Sequence, residues 1–327
     1  MLHLNNSIGD ATLKYYLFTF LVLIFLNSIC LAQEAPAEQN AEQNEEQSNE
    51  EKFIEKNIEI SEWFDDVAEG LDLFLIGKKV TKRKNETTAV VTTSAFAKDR
   101  EDSKFSGDLN VNLRLPNVED YWQLKFTSYD ANRERRVVQT GRFRNTPRER
   151  DYGATLQIFR NLGNVRTSFQ PRLALQSGFK VSHVLTFESI AENKKYKINP
   201  KLQFFANADD GPGIYLAVNY NFQIDKTFSL TLINDGDYKD KIHTFVVTNG
   251  ASIGHKITDR KSFSYNLFFE STNREEYHLE GYTASVAWKE IIYKNILNYT
   301  ISPFVTFQKP EAFTAAAGIT VSVELQF

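Results

Sequence analysis

Asp209, Asp210, Asp235, Asp237 and Asp240 gather ahead of His243 in the sequence. A carboxylate and an imidazole that share one water can turn it into a nucleophile, which is hydrolase chemistry. The local sequences argue against it, because Asp-Asp-Gly-Pro and Asn-Asp-Gly-Asp are ordinary turn compositions. Calcium is the one ion these oxygens would suit, and turn carboxylates alone make a poor site for it. A Ser–His pair on a single strand needs both residues on one face, hence two apart. The neighbours at that spacing are Val181 and Leu185 for His183, Lys241 and Phe245 for His243, Ile253 and Ile257 for His255, and Glu276 and Glu280 for His278. None is serine, and Ser252 and His255, three apart, face opposite ways. Cys30 is the only cysteine, so thiol chemistry, disulfides and cysteine-ligated zinc drop out once the leader is removed. The expectation is a protein without catalytic residues, metal or cofactor.

A second group is basic. Arg133, Arg135, Arg136, Arg142, Arg144, Arg148 and Arg150 fall between Asp130 and Asp151. Guanidinium forks match phosphate oxygens two at a time, so this segment is expected to be a long outer loop that contacts a polyanion such as lipopolysaccharide phosphate. Glu134, Glu149 and Asp151 offset part of its charge. No aromatic platform accompanies the arginines, so nucleic acid is not an expected partner.

Both groups need a scaffold, and the last residues describe it. From Phe313 the odd positions read Phe, Ala, Ala, Ile, Val, Val, Leu, Phe, and the even ones Thr, Ala, Gly, Thr, Ser, Glu, Gln. Strict period-two alternation makes a β-strand with one apolar and one polar face. A strand of this kind ending on Phe327 resembles the closing strand of Gram-negative outer-membrane β-barrels. The Trp63-Phe64-Asp65-Asp66 segment leading into such a barrel is similar to proteobacterial members of that class. The resemblance implies an all-β fold, a transmembrane antiparallel up-and-down barrel.

Alternating segments recur back to about residue 87, and counting them gives fourteen strands, within a range of 12–16. Pro200 and Pro303 fall at apolar positions and are expected to mark strand ends or bulges. Trp122, Tyr277, Tyr282, Trp288 and Tyr293 lie near strand ends, as an interfacial girdle requires. A soluble β-sandwich alternates in the same way, but lacks a reason for the aromatic ends.

The phase of the last strand assigns a face to every charge upstream. Arg114, Lys125, Arg172, Lys180, Lys197, Lys201 and Lys289 are expected to line the lumen, with Asp108, Glu188, Glu270, Glu280 and Glu324. Such a lumen is either a water-filled path with weak anion preference or a filled interior of ion pairs.

The chain starts differently. Lys14 precedes the apolar run from Tyr15 to Leu26, and Cys30 and Ala32 form a small-x-small end. That pattern is a secretory signal over residues 1–32, too short for a spanning helix. Residues 33–52 are rich in Glu, Gln and Asn and read as an acidic, disordered tether. Residues 53–84 carry Trp63, Val67, Leu71 and Phe74 at helical spacing, which predicts a short amphipathic helix against the inner leaflet, in the barrel mouth or on a partner. The barrel takes residues 85–327. The mean hydropathy of −0.40 excludes nothing here, because half of each barrel strand faces water.

The sequence thus points to a monomeric outer-membrane protein, with membrane lipid, lipopolysaccharide and the barrel-assembly machinery (through the strand ending at Phe327) as partners. Its expected function is a passive pore for small polar solutes. A non-conducting, lipopolysaccharide-binding barrel is the alternative, and a rim hydrolase of the omptin kind the third reading.

Overall fold

The computed structural model describes residues 39–76, 87–115, 122–136, 146–175, 178–293 and 296–327. The expected signal at residues 1–32 lies outside them. A long helix covers Gln39–Ile76. It begins inside the stretch expected to be a disordered tether, because Glu, Gln and Ala are strong helix formers that carry a helix without a packed face. The chain divides into residues 1–57 and 58–327, so the second half of this helix belongs to the same unit as the sheet.

The sheet takes most of the described residues after 87. Its first strands are β1 (Thr88–Lys98), β2 (Glu101–Arg114), β3 (Trp122–Thr127), β4 (Gly153–Leu162), β5 (Val165–Ala174) and β6 (Lys180–Ser189). After the two-residue β7 (Ala191–Glu192) come β8 (Tyr196–Asn207), β9 (Gly211–Gln223), β10 (Phe228–Lys239) and β11 (Thr244–Lys256). The series ends with β12 (Lys261–Thr272), β13 (His278–Tyr293), β14 (Leu297–Gln308) and β15 (Ala315–Gln326). Each long strand pairs antiparallel with its neighbours in sequence; β1 pairs with β15, and β6 pairs with β8, closing the sheet. Leaving out β7, a stub on β8, the result is a closed fourteen-stranded antiparallel barrel. Closure leaves no edge strand with unpaired backbone groups. Thr88 and Gln326 lie at the lower end of the barrel.

Alternation sorts the side chains. Outward residues such as Leu216, Phe204, Ile253 and Leu267 are exposed and apolar, whereas the inward Gln203, Thr248, Ser252 and Asn266 are buried and polar. This inversion of a soluble core is what a barrel in hydrocarbon requires. Aromatics gather outward in two bands. Near the lower end Phe228 stacks on His255 at 4.3 Å and Phe263 meets Trp288 at 5.6 Å, with Tyr299 beyond at 6.4 Å. Toward the other end Tyr282 meets Phe269 at 6.1 Å, Phe307 at 4.5 Å and Phe313 at 6.2 Å. Phe263 to Phe269 and Tyr299 to Phe307 are roughly 20 and 26 Å of strand at ~3.3 Å per residue, on the scale of a membrane's apolar layer. Of the expected girdle, Tyr282 and Trp288 sit in these bands, Trp122 and Tyr293 at strand ends, and Tyr277 in a turn.

The prolines behave differently from expectation. Pro200 lies inside β8 opposite Val218, but β6 pairing stops at Lys201, where the missing N–H would be needed. Pro303 lies inside β14 opposite Ile319, and no pairing to β13 is made between Ile301 and Phe304. The bulges fall elsewhere, at Phe96/Lys98, Glu270/Ser271 and Ile291/Tyr293.

The helix packs on the outside of the wall. Phe64, Ala68 and Leu71 meet Ala89, Val111, Leu113 and Leu124, all on the outward face, together with Phe327. The Thr87 amide donates to Asp65 Oδ1 at 3.1 Å and fixes the approach. This contact sets residues 64–71 of the helix against the outer wall.

Candidate functional site

β3 is six residues long where its neighbours run to ten or more, so the chain leaves the wall early. The Asp130 carboxylate accepts the amides of Asn132 (2.9 Å) and Arg133 (3.1 Å) and starts the short helix Ala131–Arg136. The described parts of the segment between β3 and β4, residues 128–136 and 146–152, turn into the barrel. Arg136 is 4% exposed, with its guanidinium 3.8 Å from the Phe205 ring on the β8 wall. Burial lowers its pKa, although Asp237, Asp130 and Asp210 act to raise it. Gly213 makes room for Phe205: a Cβ there would lie 2.2 Å from the ring and 2.4 Å from the Tyr238 carbonyl.

Arg148 holds the returning half. Its guanidinium donates to Asp108 at 3.0 Å and Glu134 at 2.9 Å, and covers the Tyr129 ring at 3.8 Å. Arg172 fastens both ends of the segment to the wall. It donates to Thr127 Oγ1 at 2.7 Å and to the Asp151 carbonyl, with the Asp151 carboxylate 3.6 Å away. Burial pushes the Asp151 carboxyl up, against the pull of Arg172. A Cβ on Gly153 would lie 2.6 Å from the Leu173 carbonyl and 2.8 Å from the Arg172 guanidinium, so glycine is required there.

Arg136 and Arg148 are thus not on an outer loop facing lipid phosphate. Arg136 is buried against Phe205 and Arg148 is largely buried between Asp108 and Glu134, since a segment attached to a short strand can turn inward. Arg133 stays exposed beside Glu149 at 3.4 Å, and Arg150 is exposed. Arg142 and Arg144 lie outside the described residues, as does the side chain of Arg135.

Two polar cavities lie in the lower half of the barrel, each touched by this segment. One, of about 370 Å³, is lined by hydroxyls including Thr92, Ser264, Thr300 and Ser322, with Arg148, Lys289 and Glu324. The other, of about 210 Å³, is lined by Gln123, Gln157, Gln170 and Gln203, with Asn132, Lys125, Arg166, Lys201 and Glu188.

The register places Arg114, Lys125, Arg172, Lys180, Glu188, Lys197, Lys201, Glu270, Lys289 and Glu324 on the face that lines these cavities. Lys125, Glu188 and Lys201 share the smaller cavity, Lys289 and Glu324 the larger. Glu188 accepts from Asn199 at 2.8 Å, and Glu324 from Asn298 at 3.1 Å. Lys180 and Lys197 turn instead to Asp209 (2.8 Å) and Glu192 (3.5 Å) at the ends of the barrel. Glu280 occupies the β13 bulge and meets His278 at 3.0 Å.

The acids read as a rim cluster are dispersed. Asp235 and Asp237 are not in an outer loop; they are buried, inward residues of β10 opposite Ala217 and Tyr215. Asp209 pairs with Lys180, Asp210 with Lys239 at 3.4 Å, and Asp240 accepts from Tyr238 at 3.3 Å. Burial acts to raise the Asp210 pKa, but Lys239, Asn207 and Arg133 outweigh it and leave it below the usual value. Among the described residues no group of acids and histidines is arranged to hold a metal ion.

No family model matches the chain, and no curated protein does. Solved structures do. The KdgM porin in complex with disordered oligogalacturonate is 9% identical, over 73% of this chain and 99% of that one, with a TM-score of 0.38. The outer membrane channel DcaP of Acinetobacter baumannii is 6% identical over 75% and 97%, with a TM-score of 0.45. OmpT, an outer membrane protein of Vibrio cholerae, is 7% identical over 76% and 99%, with a TM-score of 0.40. These neighbours are outer-membrane β-barrels. The resemblance is at the level of that class.

Proposed function

We propose that this chain is an outer-membrane channel, exported by its N-terminal signal, that passes small polar solutes around an inward-folded arginine segment. The observation that carries the reading is the pair of polar cavities beside that segment. A barrel filled by ion pairs would leave no such volume, whereas a path needs it lined by groups that can replace water. The cavities carry more cations than carboxylates: Lys125, Arg166 and Lys201 against Glu188, and Arg148 and Lys289 against Glu324. Anions are therefore the preferred solutes, weakly. Of the described arginines in this segment, Arg133 and Arg150 remain exposed to meet lipopolysaccharide phosphates.

Single-channel recording of the refolded protein in a planar bilayer tests this. Discrete conductance steps are expected, with a reversal potential in a potassium chloride gradient displaced toward chloride. An inserted, heat-modifiable barrel that never conducts would sink the channel reading and leave a structural or lipopolysaccharide-binding barrel.

A further inference from the structure

A pair of carboxamides interrupts the apolar pattern of the outer wall. Asn234 of β10 and Asn249 of β11 are direct cross-strand partners near the middle of both strands. Both face outward and are exposed, while Asp235 and Thr248 beside them are buried inward. The Asn234 amide reaches only the Val218 carbonyl, at 3.4 Å. Among the described residues the Asn249 amide makes no hydrogen bond. Along the same face lie Leu232 and Ala251 on one side and Gly236 and Val247 on the other. Gly236 and Ala251 keep the surface low around the pair.

At mid-strand this pair lies between the two aromatic bands, away from headgroups and water. Hydrocarbon cannot satisfy a carboxamide, and leaving one bare there is costly. The bonding must come from another protein surface at the same depth. A second copy of this chain supplies it by symmetry. Two barrels inserted in the same direction are related by a two-fold axis along the membrane normal. When their β10–β11 faces meet, that rotation sets β10 of one against β11 of the other. Asn234 and Asn249 are in register, so each then meets its opposite number at nearly one height. Carboxamides carry both donors and an acceptor, and the two contacts are reciprocal.

We propose that the Asn234–Asn249 face joins two copies of this chain in the membrane through reciprocal amide hydrogen bonds. The proposal rests on the outer-membrane reading given above. The sequence alone suggested a monomer, because nothing in strand periodicity marks two asparagines as neighbours.

The test uses the full chain in a Cys30→Ser background, inserted in phosphatidylcholine vesicles. Differently tagged Asn234→Cys and Asn249→Cys chains are mixed and mildly oxidised. Disulfides between unlike chains are expected to exceed those between like chains several-fold. Subunit counting by photobleaching should give two steps for the unsubstituted chain. Asn234→Leu combined with Asn249→Leu should weaken association by about tenfold or more, from interhelical amide bonds of comparable strength in membranes. Single-step bleaching of inserted, conducting barrels would overturn the dimer alone and leave the channel reading standing. Equal cross-linking of like and unlike chains, or a dimer indifferent to the leucines, would also overturn it, as would a different protein captured at Asn249. A chain that fails to insert at all would overturn both readings.

Discussion

Replacing Arg148 by alanine should release the lumen segment. Arg148 is 11% exposed, and its partners Asp108 and Glu134 are 2% and 12% exposed at 3.0 and 2.9 Å. Removing one partner of a buried pair costs about 3–5 kcal/mol, mostly from the charges left behind. A lumen admits some water, so the low end applies. About 3 kcal/mol is roughly a hundredfold in the ratio of inward to displaced segment. The expected result is a larger, noisier conductance for Arg148→Ala in a planar bilayer. The barrel itself should keep its heat-modifiable migration, because no strand pairing depends on Arg148. Asp108→Asn should act in the same direction but less, since Glu134 still holds the guanidinium. Asp108→Asn combined with Arg148→Met should cost less than the sum of the two single changes, because no orphaned charge remains at that contact. Unchanged conductance and noise in Arg148→Ala would refute the idea that these ion pairs hold the segment across the path.

Three further outcomes follow from the packing. Gly213→Ala should displace Phe205 from under Arg136 and destabilise the barrel by about 1–3 kcal/mol, read by urea unfolding in lipid vesicles. Ala68→Asp puts a charge at a site with 0% exposure between Ala89, Val111 and Leu113; the helix should become protease-sensitive while the barrel still migrates as folded. Asp210 has a folded pKa below its unfolded one, so its stabilising share is present at neutral pH. That share is lost as pH falls below about 4, the ordinary carboxylate value, and through the folded pKa. Melting temperature followed by heat modifiability should show an acid-side drop that Asp210→Asn reduces.

The barrel was legible because its rule is local. Period-two alternation needs no knowledge of partners, so the strands could be read from residue types alone. Strand ends were legible only where composition and topology agree. Asp235 and Asp237 read as turn residues, yet they continue β10, because Tyr215 and Arg136 lie close to them inside the barrel. No local pattern announces such partners. The inward placement of Arg136 and Arg148 was equally hidden, since a run of arginines looks the same on a loop or in a lumen. A faint signal existed in the short alternating stretch 122–127 before it. His278 and Glu280, two apart, were visible as same-face neighbours, but the bulge that brings them together was not.

The helix on the outer wall gains meaning from chain entropy. Closing the sheet pairs Val90 with Gln326, residues 236 positions apart (326 − 90). Bringing such distant segments together costs on the order of 5 kcal/mol in loop-closure entropy, more than any neighbouring hairpin. At the lower end of that seam Ala89 and Phe327 exchange backbone hydrogen bonds of 3.2 and 2.8 Å, and Phe64, Ala68 and Leu71 cover them from outside. The ladder that is hardest to form is therefore the one the helix fastens, which makes the helix a clamp on the barrel's closure.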